Sequence, residues 1–307
     1  MSHPTHPPSI PRKPPWLKRR LPTDSSFQEV RGLIEKGRLH TVCQEAKCPN
    51  IWECYARQTA TFLIMGSRCT RNCRFCSVAP GPPEPLDPQE PVRVAEAAAR
   101  MGLTYAVVTS VTRDDLPDGG AAHFAATIRE IRRLIPGTLV EVLIPDFQGD
   151  RSALLTVLEA QPDVLNHNIE SVPRLYPQVR PQADYLRSLA LLKRARDFDL
   201  GIATKSGLML GLGEETQELR RTLQDLRAAD CRILTLGQYL QPSPEHLPVA
   251  RYVTPEEFEN WRTSALEMGF AEVASGPFVR SSYHAQESYQ RFDGVTCNPP
   301  SSGPKSI

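Results

Sequence analysis

This sequence predicts an α/β fold with a mostly parallel sheet, on three observations. Six short apolar runs rich in β-branched residues alternate with longer helical patterns through the middle of the chain. Capping or breaking residues bracket the helical stretches. The unusual residues, cysteines above all, follow the strand ends, where ligands collect in such folds.

The predicted strands are Thr61–Gly66, Tyr105–Val111, Leu139–Ile144, Val164–Ile169, Ile202–Leu210 and Ile233–Leu240. Between them, Val92–Met101 has Pro91 as a start signal and Gly102 as a stop. Ala121–Leu134, Ser152–Ala160, Asp184–Phe198 and Thr216–Ala229 carry helical spacing as well. Thr254-Pro255-Glu256-Glu257 reads as a capping box with proline at the first helical position, opening a helix that stops near Gly269. Strands alternating with helices imply crossover connections. A partial (β/α) barrel and an open doubly wound sheet satisfy the periodicity equally. No repeat of solenoid spacing is present.

The ends differ from this body. Residues 1–22 are proline-rich and basic and close on Arg12-Lys13-Pro14-Pro15-Trp16-Leu17-Lys18-Arg19-Arg20, a segment that cannot fold alone and is expected to lie over the body as an extended arm. Residues 1–10 and 298–307 are expected to be disordered tails. With 36 Lys and Arg against 35 Asp and Glu, bulk electrostatics exclude a nucleic-acid binder. Apolar runs such as Thr61–Met65 fall far short of the ~20 residues that span a bilayer, so no membrane partner is expected. The N-terminus lacks the apolar core of a secretory signal, and a cytoplasmic protein is expected. In a reducing compartment its eight cysteines read as metal ligands or reactive thiols.

Cys69, Cys73 and Cys76 form C-x3-C-x2-C directly after the first strand. Three thiolates hold three irons of a [4Fe–4S] cube and leave the fourth open, the vacancy a reactive centre needs. The competing reading, a zinc knuckle, wants two close pairs or four ligands. Phe75 is placed to shield such a cluster, and Arg68, Arg71 and Arg74 to offset its charge. This motif after the first strand of a βα array resembles the radical S-adenosylmethionine superfamily. There the methionyl amino and carboxylate groups chelate the open iron, and electron transfer yields a 5′-deoxyadenosyl radical. Upstream, Cys43, Cys48 and Cys54 form a second triad, C-x4-C-x5-C, which taken alone also fits buried free thiols. Cys231 precedes a strand and is expected in the core, while Cys297 falls in the tail.

Both triads with their surroundings resemble the lipoyl synthase family. The matching stretches are RKPPWLK (Arg12–Lys18), LHTVCQEAKCPNIWEC (Leu39–Cys54), TATFLIMGSRCTRNCRFCS (Thr59–Ser77), VTRDDLPDGG (Val111–Gly120), NHNIESVPRLYPQVRP (Asn166–Pro181), TKSGLMLGLGE (Thr204–Glu214) and VRSSYHA (Val279–Ala285). The resemblance implies a partial (β/α)6 TIM-like barrel, residues 58–275, with an N-terminal extension (1–57) and a C-terminal extension (276–307). It implies two [4Fe–4S] clusters: one on Cys69, Cys73 and Cys76 that activates S-adenosyl-L-methionine, and an auxiliary one on Cys43, Cys48, Cys54 and a serine, Ser282 in preference to Ser281. Without the resemblance those serines read as a loop bonding its own backbone. An oxygen ligand on a soft centre is labile, which suits a cluster that gives up sulfur.

Further residues fit a cofactor cradle at the strand ends. Asp118-Gly119-Gly120 would let backbone approach the methionyl group, and Asn168 and Glu170 would hold ribose hydroxyls or the amino group. Arg180 would clamp the carboxylate. The run Gly207 to Gly211 resembles the superfamily's adenosine contact, although it also reads as a plain turn. Lys205 is placed near the mouth, and His123 and His167 are expected to be packed rather than catalytic.

The implied substrate is an octanoyl chain on a lysine of a lipoyl carrier domain, of a dehydrogenase-complex E2 or the glycine cleavage H protein. Hydrogen would be abstracted from carbon 6 and then carbon 8, each carbon taking sulfur from the auxiliary cluster. Ferredoxin or flavodoxin is the expected electron donor, and Lys18–Arg20 would help dock the carrier. A biotin-synthase-like enzyme would lack the N-terminal cysteines and the serine motif. A non-enzymatic iron–sulfur or zinc protein would not cleave the cofactor.

Overall fold

The computed structural model describes residues 12–18, 26–198 and 200–297. The expected tails, Arg19 and Arg20 lie outside these residues. One sheet runs through the described chain. Its strands are β1 (His40–Thr41), β2 (Thr61–Ile64), β3 (Tyr105–Ser110), β4 (Leu139–Leu143), β5 (Val164–Asn166), β6 (Ala203–Leu210), β7 (Ile233–Gln238) and β8 (Glu272–Gly276), paired in chain order. All neighbours from β2 to β8 are parallel, and only β1 is antiparallel. The parallel strands therefore number seven rather than six, because β8 adds to β7 in register, Val273 opposite Leu234.

Helices α2 (Glu90–Arg100), α3 (Ala121–Leu134), α4 (Arg151–Glu159), α5 (Tyr185–Asp197), α6 (Thr216–Ala228) and α7 (Pro255–Glu267) fill the crossovers, preceded by α1 (Ser26–Lys36) and followed by α8 (Ala285–Cys297). Strands covered on both faces should be apolar throughout, and every residue of β2 and β7 is buried. Side-chain caps set several helix starts. Asp150 accepts from Ser152 N at 2.7 Å, Asp184 from Arg187 N at 2.6 Å, and Thr254 Oγ1 from Glu257 N at 3.1 Å. The capping box expected at Thr254 is only half formed. The Glu257 carboxylate turns to Arg251, with two contacts of 2.7 Å, because a charged fork outcompetes one backbone amide.

β2 and β8 are not neighbours, so the sheet stays open. Residues of β2, β3, β4, β6 and β7 nevertheless line one cavity of ≈ 590 Å³, as only a sheet curled on itself permits. This is the partial barrel. Its base is covered by α8, whose Phe292 and Tyr289 pack on Val164, Ala203 and Ile233 at the strand starts. The segment between β8 and α8 runs beside the cavity, with Arg280, Ser281 and Ser282 among its lining. The proline-rich arm makes one 3-10 turn, Pro15–Leu17, anchored by the buried Leu17, and Lys13 reaches the cavity.

Candidate active site

β2 ends in a sharp turn, with Met65 and Gly66 at φ +68° and +90°, and delivers the chain to Cys69. Arg68 and Cys69 pair in parallel with Ala79 and Pro80, and Gly81 N donates to Cys69 O at 2.9 Å, drawing the C-x3-C-x2-C loop into a closed ring. The Cys69 thiol already accepts from Arg71 N at 3.4 Å and Thr112 N at 3.3 Å. Burial pushes Cys73 up to about 11, against the opposing Arg180 charge. It pushes Cys76 up to about 12, with Cys73 and Cys69 adding to the effect.

The second triad spans two short helices of the N-terminal extension, with Cys43 on Val42–Glu45, Cys54 on Ile51–Ala56 and Cys48 in the turn between them. Thr41 caps the first helix and bonds Tyr55 OH at 2.8 Å, fixing one helix to the other. Cys43 is buried, and burial with the nearby Cys48 raises its thiol strongly. Burial, Cys48 and Glu53 raise Cys54 to about 12. In each triad, buried thiols oppose one another's ionisation, so their anions become stable only around a cationic core.

All six of these cysteines line the same cavity. Among the described residues no three His, Cys, Asp or Glu side chains converge on one metal-ion position. A cube is bound by one thiolate per iron, at separate corners, and needs no such convergence. The thiols of each triad are a donor set that an iron–sulfur cube could use.

A polar cluster also lines the cavity. Asn168 Nδ2 donates to Glu170 Oε1 at 3.1 Å and to Ser281 Oγ at 2.7 Å. Arg180 Nη1 donates to Asn168 O at 2.9 Å. Burial raises the Glu170 carboxyl, and Arg180 opposes the shift. Asn168 Oδ1 and Arg180 Nε are buried without a partner among the described residues, as expected of groups kept for a polar ligand. A Cβ at Gly207 would meet Thr235 Oγ1 at 2.4 Å and Asn168 Oδ1 at 3.0 Å, so glycine preserves the space. Ser282 Oγ accepts from Thr61 Oγ1 at 2.7 Å on the opposite side.

Several expected residues lie elsewhere. Asp118, Gly119 and Gly120 do not line the cavity. Asp118 accepts from Gly120 N and Ala122 N at the start of α3, and a Cβ on Gly120 would strike Met65 Sδ at 2.3 Å. Their geometry serves a cap and a close packing contact. Gly211 also stays outside the lining, at φ +97° against Gln238 and the Arg251 carbonyl. Lys205 is not at the mouth but buried inside the barrel, its Nζ 2.9 Å from Glu141 Oε1. Arg68 and Arg74 are exposed. Arg71 is buried and paired to Asp114 at 2.6 Å and Asp146 at 2.6 Å, and of the two arginines that act on Cys73, Arg180 has the larger effect. Burial pushes Asp146 up, but the Arg71 hydrogen bond and charge win and hold it at about 2. Cys231 is fully buried, and its thiol donates to Ile233 O at 3.4 Å.

The sequence reading passed over a set of contacts that ties the two extensions together. Tyr283 OH donates to Glu53 at 2.9 Å, His284 Nε2 lies 3.0 Å from Glu53 Oε1, and Asn50 Nδ2 donates to Phe278 O at 2.7 Å. Asn50, Glu53, Tyr283 and His284 fall in the stretches Leu39–Cys54 and Val279–Ala285, but nothing local says they meet.

A parallel βα array around a cysteine triad and a polar cradle defines an enzyme of the radical SAM superfamily, whose family model matches residues 63–226. A second model, the N-terminal domain of lipoyl synthase, matches residues 5–48. The chain is 58% identical over 275 residues to a lipoyl synthase of Rubrobacter xylanophilus, covering 90% of this chain and 86% of that one. It is 58% identical over 274 residues to one of Caldanaerobacter subterraneus subsp. tengcongensis, covering 89% and 96%. The chain belongs to the lipoyl synthase family. Solved structures share the fold at low identity. The [FeFe]-hydrogenase maturase HydG aligns with a TM-score of 0.54 at 16% identity over 87% of this chain and 67% of that one. SuiB of Streptococcus suis aligns with 0.55 at 10% identity over 84% and 57%.

Proposed function

We propose that this chain inserts two sulfur atoms into carbons 6 and 8 of an octanoyl chain held on a lysine of a lipoyl carrier domain, forming the lipoyl group. One observation carries this reading: two separately spaced cysteine triads line a single cavity. When bound, S-adenosylmethionine and a [4Fe–4S] cluster supply the adenosyl radical and a second [4Fe–4S] cluster supplies sulfur.

Cys69, Cys73 and Cys76 hold the first cluster in this reading, and Cys43, Cys48 and Cys54 hold the second. Ser282 is the fourth ligand of the second, because Thr61 presents it from β2 while Asn168 holds Ser281 toward the cofactor cradle. Arg180 faces a carboxylate, Glu170 and Asn168 an amino group or hydroxyls, and Gly207 leaves room for them. Leu63, Val107, Leu143 and Leu208 give the cavity an apolar wall that suits an acyl tail and excludes water, which protects a radical from quenching. Residues 1–57 and 276–307 act as extensions that complete the second site around the 58–275 barrel. The carrier is an E2 or H-protein lipoyl domain, the donor a ferredoxin or flavodoxin, and the setting the cytoplasm. Among the described residues no helix is long and apolar enough to cross a membrane.

Separate alanine variants of the two triads test the assignment. After anaerobic reconstitution, changes at Cys69, Cys73 or Cys76 should abolish release of methionine and 5′-deoxyadenosine. Changes at Cys43, Cys48 or Cys54 should stop sulfur insertion while cofactor cleavage continues. Full sulfur insertion by a Cys43→Ala protein would remove the second-cluster assignment.

A further inference from the structure

The barrel interior is layered, and its lowest layer closes the cavity. Thr61 on β2 lies opposite Val107 on β3 and donates to Ser282, so Ser282 stands at the level of Val107. Tyr105 is two residues earlier on β3, hence on the same face and one layer down, roughly 7 Å deeper. It lines the same cavity. Its OH donates to Glu141 Oε2 at 2.7 Å, and Glu141 Oε1 receives Lys205 Nζ at 2.9 Å and Asn166 Nδ2 at 3.0 Å. Behind the ring, Ala285 packs on Tyr105 and Val107, and the Tyr289 ring lies 5.9 Å away. Four strands and α8 thus fix one aromatic ring beneath the proposed sulfur source.

We propose that the Tyr105 ring is the floor of the acyl channel and sets the longest chain the enzyme accepts. The inference rests on the octanoyl reading above and adds its length limit. A tail that ends beside Ser282 has one layer of space beneath it. A longer tail must displace the ring and press methylenes against the buried Glu141–Lys205 pair. That pair does not move cheaply, because separating it leaves an uncompensated buried charge.

Binding of octanoyl-, decanoyl- and dodecanoyl-lysyl peptides to the anaerobically reconstituted protein with S-adenosylmethionine tests this by calorimetry. The wild-type protein should prefer octanoyl to dodecanoyl by about tenfold or more. Tyr105→Phe, which keeps the ring, should retain the preference. Tyr105→Ala should lose it, with dodecanoyl gaining about tenfold from its extra buried methylenes. If the alanine variant fails to load iron, Tyr105→Leu carries the test, with the same direction for decanoyl. Octanoyl binding with an unchanged length profile in the shortened variants, or no preference in the wild type, would overturn the floor. Failure of the wild type to bind any of the three peptides would instead remove the octanoyl reading itself.

Discussion

His167, which lines the cavity, shows how burial can dominate the protonation of a side chain. Its Nδ1 lies 2.9 Å from Ile144 O and its Nε2 3.0 Å from Ser188 Oγ, and burial lowers it to about 4. The folded state therefore prefers the neutral ring, while the unfolded chain takes a proton near the ordinary value of about 6.5. Stabilisation from this residue is complete above that pH and is lost as pH falls toward 4, on the order of 3 kcal/mol in all. Urea unfolding from pH 7.5 to 4.5 should show this slope, and His167→Asn should flatten it; an unchanged slope would contradict the assignment. At this scale the cysteines were legible because their spacing is local. The pairing of Thr61 with Ser282, 221 positions apart, was not, nor was that of Glu53 with Tyr283, 230 apart, since no sequence pattern says which distant side chains a barrel brings together. Arg71 was legible as a cation in the cysteine loop. Its two carboxylate partners, which arrive from the ends of β3 and β4, were not.

Elements with their own start signals were read well. Asp184 caps α5 from the position where its predicted helix begins, and Thr254 caps α7. Thr254→Ala should cost about 1 kcal/mol in urea unfolding, as the loss of a single cap does. An effect nearer zero would show that Pro255 alone sets this helix start. Two elements exist for tertiary reasons and carried little local signal. β8, Glu-Val-Ala-Ser-Gly, is a weak strand former that becomes a strand by pairing along β7. α8 contains Gly294 and Asp293 but is held by Tyr289 and Phe292 against the barrel base. α1 is different. Phe27, Val30 and Ile34, all buried, carry helical spacing just past the proline-rich arm, a signal the sequence does contain.

In the whole molecule, the barrel supplies one half of the site and the two extensions the other. The Cys69 loop, the Asn168–Arg180 cradle and Gly207 belong to the barrel. Cys43, Cys48 and Cys54 precede it and Ser282 follows it, and the contacts of Glu53 and Asn50 with the 278–284 segment bring these together. The alternation of strands and helices foretold the sheet, but not whether it would curl. The lining shared by β2, β3, β4, β6 and β7 answers that, and the curl places both triads on one cavity. A chain so arranged should hold two clusters and give one of them up.

The most direct measurement is anaerobic turnover of an octanoyl-lysyl peptide by the reconstituted protein with S-adenosylmethionine and a reductant, followed by mass. A product heavier by two sulfurs, with two equivalents of 5′-deoxyadenosine formed, is the expected result. Cofactor cleavage at full rate with no sulfur gained by the peptide would contradict the facing of the two triads across one cavity.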